Sequence, residues 1–148
     1  MPHLVANEIL IPEIASLLKE GREVLFTPTG CSMRPFIEGG RDTVLLRAPR
    51  HIRVGDVCLA RIPLAGGDST FVLHRVIRVN DGHVTLQGDG NLSGEEHCAL
   101  TDVLGSVAVV RSPRGCRKPL TRGWLWRYLC RPRRLWLKLY RHTLLKLY

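Results

Sequence analysis

Three short segments of this 148-residue chain carry side chains that could do chemistry: Gly30-Cys31-Ser32-Met33-Arg34-Pro35-Phe36, Leu73-His74-Arg75-Val76-Ile77 and Gly88-Asp89-Gly90-Asn91. Together they supply a hydroxyl, an imidazole and a carboxylate. That set suffices for acyl transfer, which needs a nucleophile, a base to take its proton and an acid to orient and stabilise the base. Each segment is expected at a strand end or turn, where a rigid sheet can present side chains to a substrate. Imidazole titrates near neutral pH and can accept a hydroxyl proton directly, whereas a lysine must first have its pKa driven down by burial. Between Lys19 and Lys118 the chain has no lysine at all. Within these three segments His74 is the candidate base and Ser32 the candidate nucleophile.

The elements that must position these groups are short. Pro12 suits a first helical position, Glu13 favours the positive end of the helix dipole and Gly21 supplies a stop, predicting a small N-terminal helix. Ile14, Leu17 and Leu18 share one of its faces. From there β-like runs are read at about 23–27, 42–47, 56–61, 70–79, 83–87 and 104–110, separated by Gly39-Gly40, Val54-Gly55-Asp56, Gly66-Gly67 and Asn80-Asp81-Gly82. The last of these turns predicts a hairpin. The expected fold is mainly β and barrel-like. Residues 1–112 are read as one domain with its N-terminal helix, and residues 113–148 as a linker and tail.

The three segments also resemble a known family. Ser-Met-x-Pro after a glycine-containing turn, then His-Arg-Val-Ile, then Gly-Asp-x-Asn, are similar in order and spacing to the boxes of signal peptidases. The likeness is greatest to the endoplasmic-reticulum and archaeal type, within a larger group shared with LexA-type self-cleaving repressors. Val54-Gly55-Asp56-Val57 and Leu104-Gly105-Ser106-Val107 resemble that group's intervening strands, so the likeness covers roughly residues 22–110. It implies a signal-peptidase/LexA-like β-barrel-type domain that cleaves a peptide segment of another protein. It further implies that Ser32 attacks and that His74 stands where lysine-using relatives place their base. Asp89 would be the orienting carboxylate. A second family carboxylate falls nearest to Glu95, a Glu where Asp is the family residue, so either acid could face His74. The oxyanion would be held by the backbone N–H of Ser32, and Gly30 stands where some relatives add a hydroxyl. The alternative is a non-catalytic membrane- or protein-binding module on a degenerate peptidase scaffold.

Other chemistries fit less well. Asp89, Asn91, Ser93 and Gly94 imitate the start of a calcium loop, but its twelfth position is Leu100 and no helices flank it. The glycine spacing from Gly88 misses the dinucleotide fingerprint. His51, His83, His97 and His142 show no ligand spacing with the cysteines. No metal or cofactor is expected. Cys31 beside Ser32 could be imagined as a thiol nucleophile, but adjacent residues point different ways. The five cysteines are scattered and odd in number, which fits a reducing compartment.

The charge of +9 has one source. Residues 1–116 hold 12 basic and 13 acidic residues, whereas residues 117–148 hold 10 basic and no acidic ones. A neutral domain with an apolar-rich tail argues against nucleic acid as partner. In that tail Arg127, Arg131, Arg134, Lys138, Arg141 and Lys146 fall mostly three or four apart, among Leu125, Tyr128, Leu129, Leu135, Trp136, Leu139, Tyr140, Leu144 and Leu147. Such an acid-free, Trp-containing amphipathic helix is expected to lie on an anionic membrane surface, with packing on a protein as the other outcome. No run approaches the roughly 20 apolar residues of a spanning helix, and no basic-then-apolar leader opens the chain. The expected location is cytoplasmic or peripheral to a membrane.

Overall fold

A computed structural model describes residues 7–119 and 133–144 of the chain. The first helix, α1, spans Asn7–Lys19 and so begins before Pro12, which sits inside it. Pro12 offers no N–H to the carbonyl four residues back, a cost the helix meets only near its open end. Its other end fits the sequence expectation. Gly21 adopts φ +78°, its N–H reaches the Leu18 carbonyl at 3.0 Å, and the Arg22 N–H reaches Leu17 at 3.1 Å. This is a Schellman stop, which glycine enters without the steric penalty of a Cβ. Ile11, Ile14 and Leu18 form the buried stripe, with Leu17 half-buried beside them.

Eight antiparallel strands follow: β1 Val24–Phe26, β2 Thr43–Arg47, β3 Val57–Pro63, β4 Ser69–Asn80, β5 His83–Gln87, β6 Glu96–Ala99, β7 Val103–Ser112 and β8 Gly115–Arg117. They make one open sheet in the order β1-β2-β7-β3-β4-β5-β6, with β8 paired to β7. The expected hairpin joins β4 to β5: Asp81 at φ +46° and Gly82 at φ +76° are its two loop residues, the signature of a type I′ turn. Two strands differ from the sequence reading. Glu96–Ala99 forms β6 where the sequence reading placed no strand, and Gly115–Arg117 forms β8 within the segment assigned to the linker. Neither has the alternating β-branched pattern that marks a strand; each forms because a long neighbour offers an edge to pair with.

β3 is buried on both faces. Val57 and Leu59 join a cluster with α1, Val44, Leu46, Leu73, Val107 and Val110, whereas Cys58, Ala60 and Ile62 join a second with Val76, Val84, Leu86, Cys98 and Val103. Successive side chains of a strand point to opposite faces, so β3 divides two cores. A frame packed on both sides fixes the neighbouring β4 firmly. β4 carries the imidazole.

After the strands, Arg133–Leu139 form a short second helix, α2, continued by a wider π turn over Tyr140–Leu144. Tyr140 is buried, whereas Leu135, Trp136 and Leu139 are 62%, 49% and 49% exposed. Arg127, Arg131 and Lys146 lie outside the described residues, as do Leu125, Tyr128, Leu129 and Leu147. No helix among the described residues is long and apolar enough to cross a membrane.

Candidate active site

His74 lies in the middle of β4, directly opposite Cys58 of β3, rather than at a strand end. Its ring is 93% hidden, with a side-chain exposure of 7%. Ser32 comes from the turn between β1 and β2, and its Oγ stands 2.9 Å from His74 Nε2. On the other side of the ring, Nδ1 stands 3.0 Å from Glu96 Oε2. In the neutral tautomer that this arrangement selects, Nδ1–H donates to the carboxylate and Nε2 accepts from the serine hydroxyl.

Strand register explains why Glu96 is the partner. Glu96 pairs with Leu86 of β5, and Leu86 pairs with Val76 of β4, so the three share a face. Val76 is two residues from His74, which places the imidazole on that same face. Glu95 lies one residue before β6 and is exposed. The expectation that Asp89 or Glu95 faces His74 is therefore corrected: the carboxylate bonded to the imidazole is Glu96. The sequence did hold a signal for it. Reading Glu96-His97-Cys98-Ala99 with period two, as a strand pairing with 83–87, puts Glu96 on the buried side with Cys98.

Asp89 has different work. Both of its oxygens accept from Arg75, Oδ1 from Nε and Oδ2 from Nη2, each at 2.7 Å. The third nitrogen of Arg75 donates to the Gly55 carbonyl at 2.7 Å, and the guanidinium lies 5.4 Å from the centre of the Phe36 ring. Both side chains are almost wholly buried, at 1% and 3% exposure. A planar guanidinium matched bidentately to a carboxylate is the geometry that makes a buried pair tolerable. The pair ties together the turns at 33–36, 53–56 and 88–91.

The glycines beside Asp89 serve the same end. A Cβ on Gly88 would stand 2.4 Å from the Ser32 carbonyl oxygen, and one on Gly90 would stand 2.8 Å from that of Cys31. Only residues without side chains let this loop approach the serine turn so closely. The contact is then fastened by the Gly90 N–H, which donates to the Ser32 carbonyl at 2.8 Å. The Gly-Asp-Gly segment is thus a brace for the residue that carries the hydroxyl.

A cleft opens at this point. Its volume is about 190 Å³, and Ile11, Phe26, Met33, Leu59, Phe71 and Leu73 surround the approach to Ser32 and His74. With one water occupying about 30 Å³ of liquid, it has room for a single aliphatic side chain or a short stretch of backbone. Ile11 belongs to α1, which places a helical residue in the wall of the site.

No protein-family model, curated protein or solved structure matches this chain.

The remaining titratable groups near the turn are in structural pairs. Arg34 donates to both oxygens of Glu38 at 2.7–3.0 Å, and that contact holds the guanidinium above its usual pKa. Arg41 donates to both oxygens of Asp42, which raises its pKa likewise, and it also adjoins the Tyr140 hydroxyl. Burial pushes the Tyr140 phenol up. Cys31, Cys58, Cys98 and Cys116 are free thiols, and among the described residues no group of three or more His, Cys, Asp or Glu side chains could hold a metal ion.

Proposed function

We propose that this chain is a serine endopeptidase of the signal-peptidase-like class, with Ser32 as nucleophile, His74 as general base and Glu96 as the carboxylate that orients it. The observation carrying this reading is the continuous line of hydrogen bonds from Ser32 Oγ through both ring nitrogens of His74 to Glu96. As Ser32 Oγ adds to a peptide carbonyl carbon, its proton passes to His74 Nε2. The tetrahedral adduct collapses when the imidazolium gives that proton to the leaving amine, breaking the C–N bond and leaving an acyl ester on Ser32. Water, losing a proton to His74, then adds to the ester carbonyl, and the imidazolium returns that proton to Ser32 Oγ as the C–Oγ bond breaks and the acid leaves. Glu96 keeps Nδ1–H directed at itself and stabilises the imidazolium during each step. The backbone N–H of Ser32 is the proposed oxyanion donor, and a donor of this kind is worth roughly 3–4 kcal/mol.

The 2.9 Å separation favours this enzyme over a non-catalytic binding module on the same scaffold, because a binding surface has no need of an aligned base. The mainly β fold agrees with the class of fold that the resemblance implies, although the sheet here is open. A fluorophosphonate probe tests the reading. The parent chain should be labelled at Ser32, while Ser32→Ala and His74→Ala should not be. Equal labelling of all three would end it.

The same protein is proposed to work at an anionic membrane surface. The supporting observation is that Leu135, Trp136 and Leu139 of α2 are exposed. Such an interfacial helix binds by burying apolar area while its cations meet anionic headgroups. Vesicles containing phosphatidylserine should pellet the full chain but not a chain lacking residues 117–148.

A further inference from the structure

Ser32 lies between two hollows of opposite character. One is the apolar cleft already described. The other, about 740 Å³, lies on the far side of the same turn, where Cys31, Arg34 and Gly90 face Arg134, Lys138 and Arg141 of the C-terminal helix and its continuation. Cys31 is the neighbour of Ser32, and Gly90 is bonded to the Ser32 carbonyl, so this groove begins one residue from Ser32. No acidic side chain lines it. Arg34 is already matched to Glu38, but Arg134, Lys138 and Arg141 make no ion pair with another described residue.

We infer that this groove receives an acidic segment of the polypeptide substrate, on the side of the scissile bond away from the apolar cleft. The inference rests on the peptidase reading and adds to it a substrate class: an apolar residue at the cut with Asp or Glu residues within a few positions on one side. Helix geometry favours a chain over a lipid here. Residues 134, 138 and 141, spaced i, i+4, i+7, line the groove beside the serine turn, whereas the exposed Leu135, Trp136 and Leu139 do not. An extended peptide leaving Ser32 would run along this groove, where Leu92 and Leu137 give it apolar surface between the charges.

The test uses the full chain carrying Ser32→Ala, so that peptides bind without turnover. The probes are fluorescent octapeptides joining an Ala/Leu tetrad to four Glu, four Gln or four Lys, each in both orders. In one order the Glu peptide should bind about tenfold more tightly than the Gln peptide, the size expected of a few exposed ion pairs, and the preference should shrink with added salt. Adding Arg134→Glu, Lys138→Glu and Arg141→Glu together should transfer the preference to the Lys peptide, an outcome that a misfolded chain cannot give. Lys138→Arg should keep the Glu preference. Equal binding of Glu and Gln peptides in both orders would overturn the inference. So would a Glu preference that survives the charge reversal while binding to phosphatidylserine vesicles is lost, since the cations would then serve lipid. Fluorophosphonate labelling of Ser32 in the unsubstituted chain reads the peptidase assignment separately: labelling without peptide preference sinks the groove alone.

Discussion

His74 and Arg75 are consecutive residues of one strand, each holds a carboxylate, and the two pairs do opposite things. Strand alternation sends them to opposite faces. Arg75 meets Asp89 through two bonds of 2.7 Å, sealed at 1% and 3% exposure. His74 meets Glu96 through a single bond, with the carboxylate 24% exposed and the other ring nitrogen given to a hydroxyl beside an open cleft. A proton can move along the second arrangement and has nowhere to go in the first. On the proposed reading, what separates the reacting pair from the structural one is what is left open.

The comparison breaks outright if the open pair does no chemistry. Ser32→Ala and His74→Ala should each lower acylation or peptide cleavage by on the order of 10⁴-fold or more, since members of such a unit fail together. Their thermal midpoints should stay near that of the parent. Glu96→Gln comes next, with an expected loss of about 10²–10⁴-fold, because an amide can stabilise the wrong tautomer and offers no charge to the imidazolium. Its double variant with His74→Ala should lose no more than His74→Ala alone. A rate for Glu96→Gln within twofold of the parent, measured on the same probe, would remove the carboxylate from the assignment.

The closed pair should fail by another route. Asp89→Asn leaves Arg75 buried without its counter-charge, and removal of one partner from a buried pair typically costs about 3–5 kcal/mol. Chemical denaturation should register that loss as a lower midpoint. Replacing Arg75 and Asp89 together by apolar residues of similar size should cost less than either single change, a non-additivity that a double-mutant cycle measures. Rates per folded molecule should fall far less than for Ser32→Ala, because the Asp89 loop braces the serine turn through the Gly88 and Gly90 contacts.

These two pairs also mark where sequence was informative. The approach of Ser32 to His74 and the hairpin at Asn80-Asp81-Gly82 were legible because each rests on a short pattern: a glycine turn, an imidazole within a β-like run, an Asn-Asp-Gly turn. The Gly-Asp-x-Asn box was legible as a motif and misleading as to role, since what distinguishes a catalytic from a bracing carboxylate is the partner across the fold. Glu96 was hidden because β6 exists only through pairing with β5, and its face is set by a register that runs across three strands. A one-residue difference, Glu95 against Glu96, moves a side chain from solvent to the imidazole. Period two makes such errors all or nothing.

Beneath the imidazole the face is closed, and thiol reactivity measures how closed. Cys58 stands opposite His74, and burial holds its thiol well above the usual range; Cys98, on the Glu96 strand, is pushed up to about 11 for the same reason. Both should therefore remain neutral thiols at physiological pH. Iodoacetamide should modify the exposed Cys31 and Cys116 at least about tenfold faster than either of them, and the gap should close on unfolding. Early modification of Cys58 would mean that water reaches the floor under His74 and that the contrast between the open and closed sides of β4 is overstated.

The smallest expected effect discriminates most finely. Glu95 is exposed and lies next to Glu96, so a diffuse electrostatic account of the site, in which nearby negative charge of any kind supports the imidazolium, would have Glu95→Gln and Glu96→Gln cost similar amounts. Directional hydrogen bonding predicts otherwise. Water screens an exposed charge, whereas the Glu96 oxygen lies 3.0 Å from Nδ1 and fixes the ring. Glu95→Gln should stay within about twofold of the parent rate, as surface changes usually do, and show the same ratio at low and high salt. A larger loss that salt relieves would assign the stabilisation to field rather than to contact. The alignment of Glu96, His74 and Ser32 would then be only part of what makes this corner of the sheet reactive.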